Sequence, residues 1–361
     1  MPNLKKAVFK QKVPEYLEHL IAETRKKFGE KSPEYYAIYN QYFYSPQEDI
    51  AGKEYNLKHY EAALTGKGAL PRGLERLYKR QLVIDLTMVC AAHCRYCLRS
   101  NYDPVQIKRS DIDGIVAYIA SDEYLKELLI TGGDPFIVPR LLMQLISEVV
   151  KKAPNIQIIR IGTRLPVQSP DKFDEELCDF FKSYHQSVRF ECAIQINHAI
   201  ELQEQTRKII EELQKSGVRI YSQNVLLKNV NDNINALVEL YDNLRYMGVE
   251  AHYLFHPVPL IGTQHFRTSI AKALSLIKEL TSSGQISGRI KPMLSLMTDV
   301  GKVILYEGTL GEKDVQGYID IHSKYQIADR LHWNPDYLLP GSARVDNQGC
   351  IIVKYLDGSD A

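Results

Sequence analysis

"LVIDLTMVCAAHCRYC", residues 82–97, decides how the rest of the chain is read. Its opening, "LVIDLTM", is an apolar run of strand character. Its end, "CAAHCRYC", sets Cys90, Cys94 and Cys97 in C-x3-C-x2-C spacing. The chain has only six cysteines. In a reducing compartment so tight a group points to metal binding or catalysis rather than to disulfides. A structural zinc needs four ligands, so His93 or a distant residue would have to complete the set. The other reading is an iron–sulfur cluster, whose irons are surrounded by cluster sulfurs and cysteine thiolates. Three cysteines then hold three irons of a [4Fe–4S] cube and leave the fourth open to a small molecule.

Five further β-like runs follow: "ELLITGG" (127–133), "IQIIRIGT" (156–163), "VRFECAIQI" (188–196), "RIYSQNVLL" (219–227) and "AHYLFHPV" (251–258). Helix-period stretches such as "LLMQLISEVVKKA" separate them. Strands alternating with helices of this length imply parallel strands joined by right-handed crossovers. No G-x-G-x-x-G follows the first strand, which argues against a dinucleotide-binding sheet. The expected fold is α/β, an incomplete (β/α)6 TIM-like barrel over residues 81–285. Residues 1–80 form an N-terminal helical region and 286–361 a C-terminal extension. "PEYLEHLIAETRKKFG" (14–29) has helical spacing and a stop at Gly29, and the tyrosine-rich "SPEYYAIYNQYFYSP" (32–46) reads as packing or an interface. "KPMLSLMTDVGKVILYEG" (291–308) reads as two short strands around a turn at Asp299–Gly301.

The 361 residues carry a net charge of +1, with 45% apolar and 25% charged side chains. No basic run suggests nucleic acid, and no apolar run of about 18 residues suggests a membrane span. The N-terminus lacks a signal-peptide pattern, so a cytoplasmic protein is expected.

The cysteine spacing, with Tyr96 before the last cysteine, resembles the signature of the radical SAM superfamily. "TGGDPF" (131–136), ending the second strand, lies where that superfamily holds the methionyl amine of its cosubstrate. "TMVCAAHCRYCLR", "TGGDPF", "IRIGTRLPV", "QINHAIE", "SQNVLLKNVND" and "GTQHFRT" together resemble lysine 2,3-aminomutase and its relatives over about residues 75–310. The resemblance implies a [4Fe–4S] cluster on Cys90, Cys94 and Cys97. It implies S-adenosylmethionine on the open iron, pyridoxal 5′-phosphate, and a 1,2-amino shift from an α- to a β-amino acid begun by a 5′-deoxyadenosyl radical. It further implies an electron donor such as flavodoxin or ferredoxin, and a homo-oligomer fits the family.

The residues carried over follow the motifs. Lys302, in "MTDVGKVILYEG", stands where the family lysine receives the pyridoxal aldehyde, as an amine nucleophile must. Arg99 aligns with a substrate-carboxylate arginine, a role suited to a bidentate guanidinium. Gln223 matches an active-site glutamine, and Gln195 stands where lysine aminomutase has a cofactor-contacting histidine, with Asn197 and His198 in the same motif. Thr131, Gly132, Gly133 and Asp134 form the cosubstrate turn. The family's phosphate-binding arginine falls at Gln81, with Arg80 beside it but on the opposite strand face. Lysine-specific members hold the distal ammonium with two carboxylates. Those positions fall at Val258 and Asp299, so a substrate other than L-lysine is expected, with His256 available to another polar side chain. Only Cys350 lies beyond Cys192, so the family's zinc-binding tail is not expected. Two other readings stay open: a radical SAM enzyme without pyridoxal phosphate, acting as an epimerase or dehydrogenase, and a non-catalytic iron–sulfur or zinc protein.

Overall fold

The structure is a computed structural model that describes residues 10–50, 70–101 and 106–360. Two helices, α1 (Glu15–Phe28) and α2 (Pro33–Tyr39), come first. Gly29 ends α1 with φ +92°, a backbone conformation that favours glycine. In the tyrosine-rich segment Tyr35, Tyr39 and Phe43 stack in series, with centroid separations of 5.2 and 4.4 Å.

A nine-stranded sheet follows in sequential order, β1 to β9. Its strands are β1 (Leu74–Glu75), β2 (Gln81–Thr87), β3 (Glu127–Gly132), β4 (Ile158–Thr163), β5 (Arg189–Ile194), β6 (Arg219–Val225), β7 (Glu250–His256), β8 (Met293–Thr298) and β9 (Gly301–Ile304). All six β-like runs of the sequence are strands here. β2 through β8 pair in parallel, while β1 and β9 close the two edges antiparallel. Sequential parallel strands with same-handed crossovers put the crossover helices on one face, so the sheet curls and its other face becomes a concave wall. This is an incomplete TIM-like barrel. β8, from the hairpin at 291–308, adds a further parallel strand to the six.

Side-chain alternation divides each strand between these two faces. Leu82, Ile84, Leu128, Ile130, Ile159, Ile161, Phe190 and Cys192 pack into one core with the outer helices. Those helices include α3 (Ile112–Ser121) and α4 (Pro139–Lys152). α4 contributes Leu142, Leu145, Ile146 and Val149, the i, i+3, i+4, i+7 stripe of an amphipathic helix. The intervening residues Gln81, Val83, Leu129, Thr131, Ala193, Gln195 and Gln223 face the concave side.

The last segment forms a second, antiparallel sheet in the order β10-β11-β13-β12, made of β10 (Leu310–Lys313), β11 (Tyr318–Gln326), β12 (Ala343–Val345) and β13 (Cys350–Leu356). Ile319, Ile321, Ile351, Val353 and Tyr355 pack from it onto Leu296, Val300 and Val303 of the β8–β9 hairpin. Among the described residues no helix is long and apolar enough to cross a membrane.

Candidate active site

A cavity of about 310 Å3 opens on the concave face. Cys90, Cys94, Cys97, Arg99, Thr131, Gly132, Gly133, Asp134, Gln195, Gln223, His256 and Lys302 all line it. Asp299 is the one expected site residue the structure does not bring to the wall.

The cysteine loop is laced to the N-terminal segment. Lys12 Nζ donates to Cys90 O at 2.7 Å, His93 N to Lys12 O at 2.9 Å, and Arg95 N to Gln41 O at 2.8 Å. His93 Nδ1 sits 2.6 Å from Lys10 O, so that ring belongs to this lacing and is not part of the cavity wall. Burial and the neighbouring sulfurs push the Cys90 thiol up, and push Cys97 up to about 11. A bound cation would relieve that like-charge repulsion. Cys94 Sγ accepts two hydrogen bonds, from Arg164 Nη1 at 2.9 Å and Gln168 Nε2 at 3.2 Å, as a thiolate ligand does. Among the described residues no group of three His, Cys, Asp or Glu side chains converges on a single ion. A cluster makes a different demand, one thiol per iron. The three sulfurs on one wall, with donors on the middle one, fit that group.

The Thr-Gly-Gly-Asp turn has its own logic. A Cβ on Gly132, where φ is +112°, would lie 2.3 Å from Thr87 O, and one on Gly133 would lie 2.3 Å from Val89 O. The glycines thus let this turn lie against the end of β2 and the cysteine loop. The Asp134 carboxylate is fully engaged within the protein, accepting from Phe136 N, Thr163 Oγ1, Arg164 N and Leu165 N at 2.7–3.1 Å. It ties the end of β3 to the end of β4, so its carboxylate serves the frame rather than a ligand.

Lys302 lines the same cavity from β9, which in strand order lies at the far side of the sheet from the β2 strand that leads into the cysteine loop. Its ammonium lies 5.5 Å from the ring centroids of both Tyr253 and Phe255. Burial first, then the Arg160 and Arg99 charges, bring it from its ordinary 10.5 down to about 8. Its backbone is pinned on both sides: Lys302 N donates to Tyr78 Oη at 2.9 Å, and Tyr325 Oη donates to Lys302 O. Gly301, at φ +119°, leaves room for Tyr78, whose hydroxyl lies 2.9 Å from where a Cβ would stand. Gln223 Nε2 is buried without a hydrogen-bond partner, an orphan donor on the same wall.

Besides Asp134, three expectations change in the structure. His256 is a brace, because Nδ1 meets Tyr355 Oη and Nε2 meets Thr268 O, both at 2.9 Å. Complete burial and the Arg267 charge hold it neutral, lowered to about 3. Asp299 accepts from Ser342 Oγ, in the turn just before β12. Arg99 lines the cavity, but its Nη1 already meets Asp85 at 2.5 Å and Glu75 at 3.2 Å. Sequence reading passed over Glu75, Tyr78, Asp85 and Gln168; Arg164 lay inside a quoted motif without a role. Their partners lie far along the chain. Gln81 faces the cavity while Arg80 is exposed, as strand alternation requires. The lysine end of a pyridoxal group therefore fits this site. Arg99 and Arg164, the two arginines among the described wall residues, both pair with carboxylates.

Residues 84–241 match the Radical SAM superfamily, and the chain carries a domain of that class. Within it, the chain is a divergent relative of lysine 2,3-aminomutase. It is 31% identical to the L-lysine 2,3-aminomutase of Fusobacterium nucleatum, over 61% of this chain and 51% of that protein. It is 29% identical to the glutamate 2,3-aminomutase of Clostridioides difficile, over 61% of this chain and 51% of that protein. The chain thus spans about half the length of these two relatives. Streptococcus suis SuiB bound to S-adenosylmethionine superposes with a TM-score of 0.46 at 15% identity, over 61% of this chain and 50% of SuiB.

Proposed function

We propose that the protein is a radical SAM, pyridoxal-phosphate-dependent 2,3-aminomutase acting on an α-amino acid other than L-lysine. The observation that carries this is Lys302, an amine lowered to about 8, on the wall of the cavity that also holds Cys90, Cys94 and Cys97. When bound, the cluster with S-adenosylmethionine supplies a hydrogen-abstracting radical, and pyridoxal phosphate supplies a carbonyl that lets nitrogen migrate.

The chain's own groups take the remaining tasks. Cys90, Cys94 and Cys97 hold the cluster. Lys302 offers a neutral amine near pH 8, where an ordinary lysine is almost wholly charged. Gln223 Nε2 presents its spare donor to whatever acceptor enters. Arg99 is the cation for a substrate carboxylate, with Glu75 as the partner displaced. Burial pushes the Glu75 carboxyl up to about 8, Arg99 opposing and Asp85 reinforcing, so near neutral pH it yields without stranding a charge. Val258 on the wall, with Asp299 turned to Ser342, supports a substrate without a distal ammonium. An amino-acid screen in which L-lysine turned over fastest would refute that choice.

The framework is tested by adding pyridoxal phosphate and borohydride to anaerobically reconstituted protein and mapping the trapped adduct. A reduced pyridoxyl group on Lys302, absent in Lys302→Ala, is the expected result. An iron–sulfur spectrum with no specific lysine adduct would favour the pyridoxal-independent reading, which Gln81 at the phosphate position supports.

A further inference from the structure

The cysteine end of the cavity holds a buried charge network to which the proposed reaction gives no task. We infer that Arg164, balanced by Glu201, sets the reduction potential of the cluster through its hydrogen bond to Cys94 Sγ. This rests on the assignment of the cluster to Cys90, Cys94 and Cys97, and it makes Arg164 a positioning residue.

The guanidinium divides its two ends. Nη1 lies 2.9 Å from Cys94 Sγ, while Nη2 lies 2.8 Å from Glu201 Oε1 and 3.0 Å from Gln41 Oε1. Arg164 is 7% exposed and Glu201 0%, so neither charge is screened by water. Glu201 is held in turn by Gln41 Nε2 at 2.6 Å and Asn197 N at 2.9 Å. Gln168 Nε2 supplies a second, neutral donor to the same sulfur at 3.2 Å. Gln41 also accepts from Tyr96 Oη and Asn197 Nδ2, so the N-terminal segment fixes the pair from outside the matched domain.

One-electron reduction adds a negative charge to the cluster. A cation bonded to a ligand sulfur stabilises the reduced form more than the oxidised one and raises the potential. The carboxylate behind that cation offsets part of the effect. Removing the cation and removing the carboxylate must therefore move the potential in opposite directions. A mere brace would give no such sign.

The experiment compares reconstituted wild type, Arg164→Gln, Glu201→Gln and Gln168→Leu. Iron content is measured, followed by an electron-paramagnetic-resonance redox titration with dithionite as the one-electron source. Arg164→Gln is expected to lower the midpoint, Glu201→Gln to raise it, and Gln168→Leu to lower it by less. Full iron loading with unchanged potentials overturns the inference, as does a shift of the Arg164 and Glu201 variants in the same direction. If Arg164→Gln fails to fold, the required opposite shifts of Glu201→Gln and Gln168→Leu decide. A wild-type protein that takes up no iron at these cysteines brings down the cluster assignment itself, a distinguishable failure.

Discussion

At the Cys94 end of the cavity, Asp134, Glu201, Gln41 and Asn197 meet donors or acceptors from four separate stretches of chain. At the Lys302 end the polar groups are left short. Lys302 Nζ faces two aromatic rings with no hydrogen-bonded or ion-pair partner among the described residues, and Gln223 Nε2 is buried without one. At the Cys94 end the carboxylates and amides are bonded, although Arg164 Nε and Tyr42 Oη are buried there without a partner. A largely satisfied network is rigid and stabilising, while orphan groups cost stability and persist where a ligand completes them. The first end is a fixed frame and the second a site awaiting a ligand. Mutations at the two ends should therefore have opposite effects on stability.

The largest effect is expected at the frame. Asp134→Ala strands the Phe136 and Arg164 N–H groups and the Thr163 hydroxyl in a buried turn, and leaves Leu165 N to Thr163 Oγ1 alone. A loss of about 4 kcal/mol should appear in urea denaturation. A loss below about 1 kcal/mol would mean that water or relaxation replaces the carboxylate, and the contrast between the ends would fail.

The next effect has the other sign. Lys302 is lowered to about 8 from 10.5, so between those values the unfolded chain binds more protons and stability rises with pH. The cost of holding the ammonium is complete below about pH 8 and gone above about pH 10.5. Lys302→Met should then stabilise the protein by about 2 kcal/mol at pH 7. The gain should shrink as pH rises through that window. A variant destabilised at every pH would show that the lysine is packed as structure.

The same contrast explains what the sequence could disclose. The frame's skeleton was legible: the cysteine spacing, six strands and the 291–308 hairpin all rest on local patterns of period two or fixed spacing. Its bonds were not. Arg164 reaches Cys94 across 70 residues, and Tyr78 reaches Lys302 across 224. Residue type misled at His256, where Tyr355, 99 residues on, takes a ring nitrogen. It misled at Asp299 too, which Ser342 claims from the turn before β12 of the second sheet. That sheet was itself obscured by its turn formers, although "CIIVKYL" (350–356) carries a plain strand signal.

The smallest stability effect separates a site from a defect. Gln223→Leu removes a buried donor that has no partner, so folding should be unchanged or gain up to about 1 kcal/mol. An orphan that were simply a packing flaw would have no other consequence. If it is kept for an incoming acceptor, equilibrium binding of S-adenosylmethionine to the reconstituted protein should weaken about tenfold, the worth of one hydrogen bond of about 1.4 kcal/mol. Gain in stability together with loss of affinity, in one variant, is the pattern that an unfinished site alone produces. Unchanged affinity would move Gln223 to the frame and shift the boundary between the two ends toward Lys302.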